Sequence, residues 1–313
     1  MKKEKRLKKE KKIIIPNELS IGRWIAILLS TAGAYSAVLI IATIIYPKIL
    51  NYLGSPGFEK ITATFLGLDV GTMITFLSFV PAFLGFILFL KVIGKTSLKD
   101  FILGVNGSIS IKSCLIIAGL FVLGFTICVL FSIKYIKLGN VEIGNYIVLI
   151  IFALSSVIFQ ISVEEFLCRG VFSRLFAKNN LGYNKRSFIA AIISSLVFAS
   201  FHLFNPEMAA QNNVFNAILM FSAYALSGFI YFICNMHFKN LVPGFIIHFL
   251  NNFILFTLFS YQSSAITSST IFIDTTPSSG ALTLLSVVLT HLPLVIYIIV
   301  DCVKQKKLVA KTK

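Results

Sequence analysis

The residues most able to do chemistry lie at positions 164–169 (Glu-Glu-Phe-Leu-Cys-Arg), where a long apolar run ends. One charged side chain at mid-bilayer costs about 2.5–3.5 kcal/mol, so the three charges together would cost about 8–10 kcal/mol if each faced lipid unpaired. On a helix, Glu165 and Arg169 lie four residues apart on one face and can form an ion pair. Glu164 is rotated by about 100° and lacks that partner. An unpaired carboxylate within a membrane bundle predicts a functional residue.

Two further apolar segments carry a histidine at helical spacing from a polar or aromatic residue. Phe198 and His202 share one helix face, and His248 and Asn252 share another. Peptide hydrolysis needs a base for water, donors for the developing oxyanion and a proton for the leaving amine. A buried carboxylate, a histidine and an asparagine amide supply these groups. The three apolar segments therefore carry the groups that such a reaction needs.

The depth of these residues in the membrane follows from their distance to flanking basic residues. At about 1.5 Å per residue, Glu164 lies about 21 Å inward, His202 about 24 Å inward, and His248 and Asn252 about 14 and 20 Å inward. They can meet only if the helix that carries Glu164 continues past Arg169 to about position 176, with Arg169 buried. If that helix ended at Arg169, the site would not form.

Composition sets the class of the protein. Of the 313 residues, 57% are apolar and 13% are charged, which is typical of a polytopic membrane protein. The net charge of +16 lies mostly outside the apolar segments, with eight of the 28 Lys and Arg residues in the first twelve positions. This distribution follows the positive-inside rule and favours contact with the lipid bilayer. No basic and aromatic recognition element lies outside the spans, so no nucleic acid is expected as a partner.

The fold class predicted is an all-α polytopic membrane protein of about eight transmembrane helices, with a conical or bundle-type core that encloses the active site. Residues 1–23 form a basic cytoplasmic tail, and residues 24–140 hold transmembrane helices 1–3. Residues 141–260 form the catalytic core with transmembrane helices 4–7. Residues 261–313 comprise a polar loop, transmembrane helix 8 and a basic tail. The positions of Lys and Arg in the loops place both termini in the cytoplasm.

The other cysteines and histidines are interpreted as structural. His237 lies at a helix end and His291 lies near a proline in the last span. The five cysteines contain no Cys-x-x-Cys pair and are interpreted as small buried apolar residues, without a disulfide or metal role. They are Cys114, Cys128, Cys168, Cys234 and Cys302.

Three motifs follow one another on successive apolar segments: Glu-Glu-x-x-x-Arg, Phe-x-x-x-His and His-x-x-x-Asn. In this order the chain resembles the CAAX-protease and bacteriocin-processing family (CPBP, also Abi) of intramembrane glutamic endopeptidases. The resemblance covers about residues 160–253, and every motif position matches. It implies a peptidase that acts within the membrane on a peptide bond of a membrane-associated protein or peptide.

The resemblance also implies a role for each motif residue. Glu164 is the catalytic glutamate, and His202 assists it in activating water. His248 and Asn252 stabilise the oxyanion. The supporting residues are the ion pair of Glu165 and Arg169, together with Phe198 one turn before the first histidine.

Alternative interpretations of the same residues remain open at this point. The charges could form a purely structural cluster between helices. One Glu and two His could hold zinc, but the HExxH motif of metalloproteases is missing, so neither a metal nor another cofactor is expected. Ser162 and Cys168 lie near, but no nucleophile elbow or Ser-His-Asp order is present.

Two other classes of function are weighed against proteolysis. One is a non-proteolytic membrane regulator or bacteriocin self-immunity protein that binds a partner such as a sensor kinase. The other is a proton-coupled transporter, which the lack of an inverted repeat disfavours. For the peptidase, the candidate substrates are a prenylated tail, a secreted-peptide precursor and a quorum-sensing or bacteriocin peptide. A peptide exporter is a further candidate partner. The Lys-, Ile-, Asn- and Phe-rich composition favours a bacterial plasma membrane as the location.

Overall fold

The computed structural model describes residues 20–52, 70–104, 108–139, 141–177, 181–203, 205–261, 270–276 and 279–311. Most of these residues are helical. A π-helical segment, Phe166–Val171, continues α5 directly into α6, and a short 3₁₀ turn follows α4. The helices are α1 (Ile21–Tyr52), α2 (Val70–Val92), α3 (Leu98–Leu103), α4 (Ile111–Ser132), α5 (Ile143–Glu165), α6 (Phe172–Ala177), α7 (Lys185–Phe201), α8 (Pro206–Ala209), α9 (Val214–Phe238), α10 (Val242–Thr257) and α11 (Gly280–Lys311).

A helix lies at each of the eight predicted spans. Within the described ranges, four helical stretches are long and apolar enough to cross a membrane: Ile111–Tyr135, Ile143–Ala177, Val214–Phe238 and Gly280–Lys306. Two shorter apolar helices cover Ser78–Val92 and Val242–Thr257. The prediction of an all-α, multi-pass membrane protein is confirmed, whereas the count of eight spans is not. The predicted basic tail at 1–23 lies outside the described residues up to position 19, and the domain division stays a prediction.

Polar residues between the apolar runs fix where the helices begin. Asn184 caps α7 and Asn213 caps α9, each through a side chain that accepts a hydrogen bond from the backbone N–H three residues later. Such caps satisfy N–H groups that the first turn leaves without a partner. At the other end of α9, Lys239 adopts a left-handed conformation with φ of 59°, which stops the helix. The chain therefore turns sharply and begins α10 beside α9.

The helices that carry the predicted site residues are neighbours. α5 packs against α2 on one side and α10 on the other, and the π segment contacts α7. α9 lies between α7, α10 and α11, while α11 also packs along α4. The three motifs therefore meet in one bundle although they are separated by about 90 residues of sequence.

Three aromatic rings anchor the π segment to the rest of the bundle. Phe166 lies 5.2 Å from Phe86 of α2 and 5.5 Å from Phe101 of α3, measured between ring centroids. Phe86 and Phe101 are themselves 5.2 Å apart. Gly170 lets α3 approach, because a Cβ atom at this position would overlap the Phe101 ring. Burial of these rings fixes the position of the charged residues one turn away.

A small sheet joins loops at one end of the bundle and was not predicted. It contains β1 (Ile136–Leu138), β2 (Phe259–Tyr261) and β3 (Phe272–Asp274), in the order β1-β3-β2. β1 and β3 are antiparallel, and β2 and β3 are parallel. With three residues each, these strands are too short for a pattern of alternating apolar residues to be recognised.

The cysteines differ in part from the prediction. All five are free, and Cys168 and Cys234 are buried as expected. The other three, Cys114, Cys128 and Cys302, are partly exposed, so the interpretation of them as buried residues is wrong.

Candidate active site

The predicted ion pair lies at the centre of the bundle. Arg169 Nη1 is 3.1 Å from Glu165 Oε1, and both side chains have no exposed area. The helix does continue past Arg169 to Ala177, through the π segment, as convergence of the motifs requires. A single-turn widening of this kind occurs often at functional sites. On the far side of the π segment, Ser194 of α7 donates a hydrogen bond to the Cys168 carbonyl oxygen.

His248 links both glutamates of the first motif to α10. Its Nδ1 lies 2.8 Å from Glu165 Oε1, and its Nε2 lies 3.4 Å from Glu164 Oε2. Asn252, one turn further along α10, places Nδ2 at 3.4 Å from the same Nε2. The carboxylate, the imidazole and the amide therefore border one spot between α5 and α10.

The second oxygen of Glu164 has a partner from its own helix. Gln160 Nε2 donates to Glu164 Oε1 over 3.1 Å. This bond orients the carboxylate so that Oε2 faces His248. On α10, Asn251 Nδ2 similarly donates to Asn252 Oδ1 over 3.1 Å, which leaves the Asn252 Nδ2 group directed to the site.

Aromatic rings enclose the Arg169 guanidinium. Its Cζ lies 4.2 Å from the ring centroid of Phe198 and 5.3 Å from that of Tyr231. Tyr231 also stacks on His248 at 5.0 Å, and Phe198 meets His248 edge-on at 5.4 Å. Cation–π contacts are strongest where water is excluded, so these rings stabilise the buried charge and the histidine together.

His202 lies beside this group and does not touch the carboxylates directly. Its Nδ1 is 2.8 Å from the Phe198 carbonyl oxygen, and its ring is 4.5 Å from the Phe198 ring. Its other face stacks on Tyr224 at 4.3 Å. Within the described residues, no hydrogen bond joins His202 to Glu164. All seven predicted site residues thus lie in one region, with His202 one ring away from the centre.

Four residues that contact the site were missed in the sequence. Gln160 stands one turn before Glu164, and this spacing is a signal that could have identified it. Tyr224 and Tyr231 are seven residues apart on α9, so they share a face and each stacks on one histidine. Asn251 gives no periodic signal, since it adjoins Asn252 and lies about 100° away on the helix.

Comparison with protein families matches residues 146–254 to one family, described as type II CAAX prenyl endopeptidase Rce1-like. This segment of the chain is similar to the Rce1-like family. The family assignment made from the three motifs is thereby confirmed. The Rce1-like segment contains every residue of the site described above. Neither the curated proteins nor the solved structures give a match.

An apolar cavity of about 330 Å³ opens beside the Rce1-like site. It lies between α2, α3, α5 and α10, and Glu165 is the charged group that reaches its wall. Apolar side chains form most of the lining: Phe83, Leu98, Ile102, Ile158, Phe159, Phe166, Leu241, Val242 and Phe245. A hydrocarbon group or an apolar side chain can therefore approach the charged centre without crossing polar surface.

The glutamates and histidines of the site are side chains of the types that bind metal ions. Among the described residues, no group of three or more His, Cys, Asp and Glu side chains has metal-binding geometry. Two of the candidate ligand atoms nearest the centre already pair with each other, since His248 Nδ1–H donates a hydrogen bond to Glu165 Oε1. The expectation that the site works without a metal stays a prediction.

Proposed function

We propose that this chain is an intramembrane endopeptidase that hydrolyses a peptide bond of a membrane-associated protein or peptide, with Glu164 as the general base. The observation that carries the proposal is the convergence of Glu164 Oε2 and Asn252 Nδ2 on His248 Nε2, each at 3.4 Å. The match of residues 146–254 to the Rce1-like family supports peptidase activity. A base and two oxyanion donors in one water-poor site are the requirements of this reaction.

Glu164 accepts the proton of the attacking water. The Gln160 amide holds one carboxylate oxygen, so the second oxygen is the base. His202 holds the same water. Its Nδ1 faces a carbonyl oxygen, which can only accept, so Nδ1 carries the hydrogen and Nε2 accepts a hydrogen bond. The proton held by Glu164 then passes to the leaving amine.

His248 and Asn252 stabilise the developing oxyanion. The Asn252 amide donates through Nδ2, and His248 donates through Nε2 when the ring is protonated. Glu165 orients the ring from its Nδ1 side and is itself held by Arg169. Preorganised donors in a site that excludes water can each contribute about 10²–10³ in rate.

The substrate class follows from the cavity and the membrane setting. The apolar cavity beside Glu165 fits a hydrocarbon group or an apolar side chain near the scissile bond. A prenylated C-terminal peptide and an apolar secreted-peptide precursor both have this property. We place the protein in a bacterial plasma membrane with both termini in the cytoplasm.

The test compares Glu164→Gln with wild-type protein purified in detergent, using an internally quenched farnesylated CAAX-type peptide. The substitution keeps the side-chain size and removes the base, so cleavage is expected to fall by about 10²-fold or more. Glu142→Gln is the matched control, because Glu142 is exposed at the start of α5 and should retain full activity. Full activity of Glu164→Gln would overturn the mechanism.

The same variants in living cells separate the peptidase from a non-proteolytic regulator. Peptides released by membranes are compared at equal expression of wild type and Glu164→Gln. Peptides found only with wild type identify the natural substrate. Identical peptide profiles, with the knockout phenotype rescued by Glu164→Gln, would favour a regulator that acts by binding a partner.

A further inference from the structure

A second histidine cluster lies at the predicted cytoplasmic end of the bundle, away from the glutamates. His237 at the end of α9 has Nε2 at 3.1 Å from Asp301 Oδ2 of α11. Its Nδ1 lies 2.9 Å from the Tyr183 hydroxyl oxygen and 3.8 Å from Cys302 Sγ. Three side chains from two other parts of the chain thus surround one imidazole. We define Tyr183, His237, Asp301 and Cys302 as the thiol cluster.

The hydrogen bonds of His237 fix which nitrogen can act as a base. Asp301 accepts a hydrogen bond from Nε2–H, so in the neutral ring Nδ1 carries the lone pair. That lone pair faces both Cys302 and Tyr183. A histidine oriented by a carboxylate and directed at a thiol is the arrangement that activates cysteine nucleophiles.

Tyr183 competes with the thiol for the same nitrogen. It lies outside the spans, in the segment before α7, and about half of its side chain is exposed. Burial of the hydroxyl and its contact with Cys302 raise the pKa of Tyr183 well above its ordinary value. The phenol therefore keeps its proton and donates it to Nδ1, so its removal should leave Nδ1 to Cys302 alone.

The surroundings of Cys302 combine apolar and basic surface. Ile299, Val300 and Val303 of α11 are exposed, at 57%, 44% and 47%, and can contact a hydrocarbon chain in the bilayer. Lys304 and Lys306 follow directly and are also exposed. A reactant with a long apolar chain and an anionic head would fit both surfaces at once.

From this placement we infer that Cys302 is an S-acylation site, at which His237 activates the thiol to accept a fatty acyl group from a long-chain acyl thioester. His237 Nδ1 takes the thiol proton, and Sγ forms a bond to the thioester carbonyl carbon. The bond from that carbon to the carrier sulfur breaks, and the carrier thiolate recovers the proton from His237. Juxtamembrane cysteines are suited to such acylation because the chain enters the bilayer. The inference does not depend on the peptidase proposal.

The test uses purified full-length protein in lipid nanodiscs and alkyne-tagged palmitoyl-coenzyme A as the probe. The readout is the initial rate of hydroxylamine-sensitive labelling, with the modified residue located by mass spectrometry. We expect labelling at Cys302, complete loss in Cys302→Ser and no change in Cys114→Ser. Cys114 is the matched control because it is also partly exposed near a helix end.

Two further variants separate activation from simple exposure. His237→Gln should slow labelling by about tenfold or more, the lower range for loss of a general base, at an unchanged melting temperature. Tyr183→Phe should accelerate it, since Nδ1 then serves only Cys302. The labelling rate of wild type should depend more steeply on pH than that of His237→Gln. The titratable groups that face the cluster from outside it are Cys234 and Tyr297.

Three results would overturn the inference. One is equal labelling of Cys302 and Cys114, and a second is a rate in His237→Gln equal to that of wild type. The third is selective reaction of Cys302 with N-ethylmaleimide but no uptake of the acyl group. That result would leave an activated thiol that is not an acyl acceptor.

Discussion

The side chains of the two histidines His248 and His237 are both buried and each lies beside a carboxylate, but the two carboxylates differ in their exposure. Each ring has one nitrogen near a carboxylate, at 2.8 Å for Glu165 and 3.1 Å for Asp301. The Glu165 side chain is fully buried, whereas the Asp301 side chain is 32% exposed. The comparison indicates that burial of the carboxylate, more than its distance from the histidine, determines how the pair contributes to stability and catalysis.

Burial makes the loss of either partner of the pair in the bundle strongly destabilising, and it also makes the pair useful for catalysis. Removing one partner of a buried ion pair leaves an uncompensated charge and costs about 3–5 kcal/mol. An exposed pair contributes at most about 1 kcal/mol. The fully buried Glu165 therefore holds His248 in one orientation, while the partly exposed Asp301 can exchange His237 for water.

The largest effect is expected for Arg169→Met. It leaves Glu165 as a buried carboxylate with His248 alone beside it, so the free energy of unfolding should fall by about 3–5 kcal/mol. Thermal unfolding in detergent measures this loss. Lys304→Met removes an exposed positive charge from α11 and should leave stability almost unchanged.

A double variant tests the cause of that loss. Arg169→Met combined with Glu165→Gln removes both charges and should recover more than half of the stability lost in the single variant. If the free energy of unfolding of Arg169→Met lies within about 1 kcal/mol of the wild-type value, the buried pair contributes no more to stability than an exposed ion pair.

The ion pair is also the part of the site that the sequence predicts best. Glu165 and Arg169 are four residues apart on one helix, and local spacing alone brings them together. The high cost of charge in lipid then requires that they face the protein interior. Both side chains are buried. The helix continues past Arg169 to Ala177, which meets the condition that the sequence sets for the motifs to converge.

Contacts between helices were harder to predict. Counting residues from the flanking basic residues gives the depth of His202 but not the rotation of α7 about its axis. His202 accordingly lies at a suitable depth with Phe198 between it and His248. The π segment adds a further rotation that no pattern of residue types revealed. The two stacked tyrosines of α9 depend on the same rotations.

The next effect concerns the close approach of α9 to the buried pair. A Cβ atom at Gly228 would lie 3.1 Å from both Arg169 Nη2 and Phe198 Cδ1. Because both neighbours are held on all sides, Gly228→Ala should cost about 1–3 kcal/mol and lower peptidase activity. The matched control is Gly119→Ala in α4, where no atom lies within 4 Å of the added Cβ.

The unfolding midpoints and cleavage rates of the two alanine variants measure this effect. Alanine favours a helix over glycine by about 1 kcal/mol, so Gly119→Ala should be neutral or more stable than wild type. Equal stability and activity of Gly228→Ala and Gly119→Ala would show that the region around Arg169 can adjust to an added methyl group. That result would contradict our inference that this region is rigid.

A smaller effect is expected for Asp301→Asn in the thiol cluster. The amide oxygen can still accept the hydrogen bond from His237 Nε2, and the lost charge is partly solvated. Stability should therefore fall by less than about 1 kcal/mol, as measured by thermal unfolding at low and high salt. A loss of about 3 kcal/mol would indicate that the exposure of Asp301 does not distinguish its pair from that of Glu165.

The smallest effect is expected at Glu207, a carboxyl group that is buried without a neighbouring positive charge in the described part of the chain. Glu207 lies on α8, outside the spans, and burial raises the pKa of its carboxyl above the ordinary value of 4.5. An acid with a raised pKa in the folded state stabilises the fold below pH 4.5 and loses that contribution as the pH rises through the folded-state pKa. Glu207→Gln removes this dependence, so its unfolding midpoint should exceed that of wild type at pH 7 and converge with it below pH 4.5. A constant difference between the unfolding midpoints of wild type and Glu207→Gln from pH 4 to pH 8 would contradict this. It would mean that the carboxylate of Glu207 is solvated to the same degree as that of Asp301.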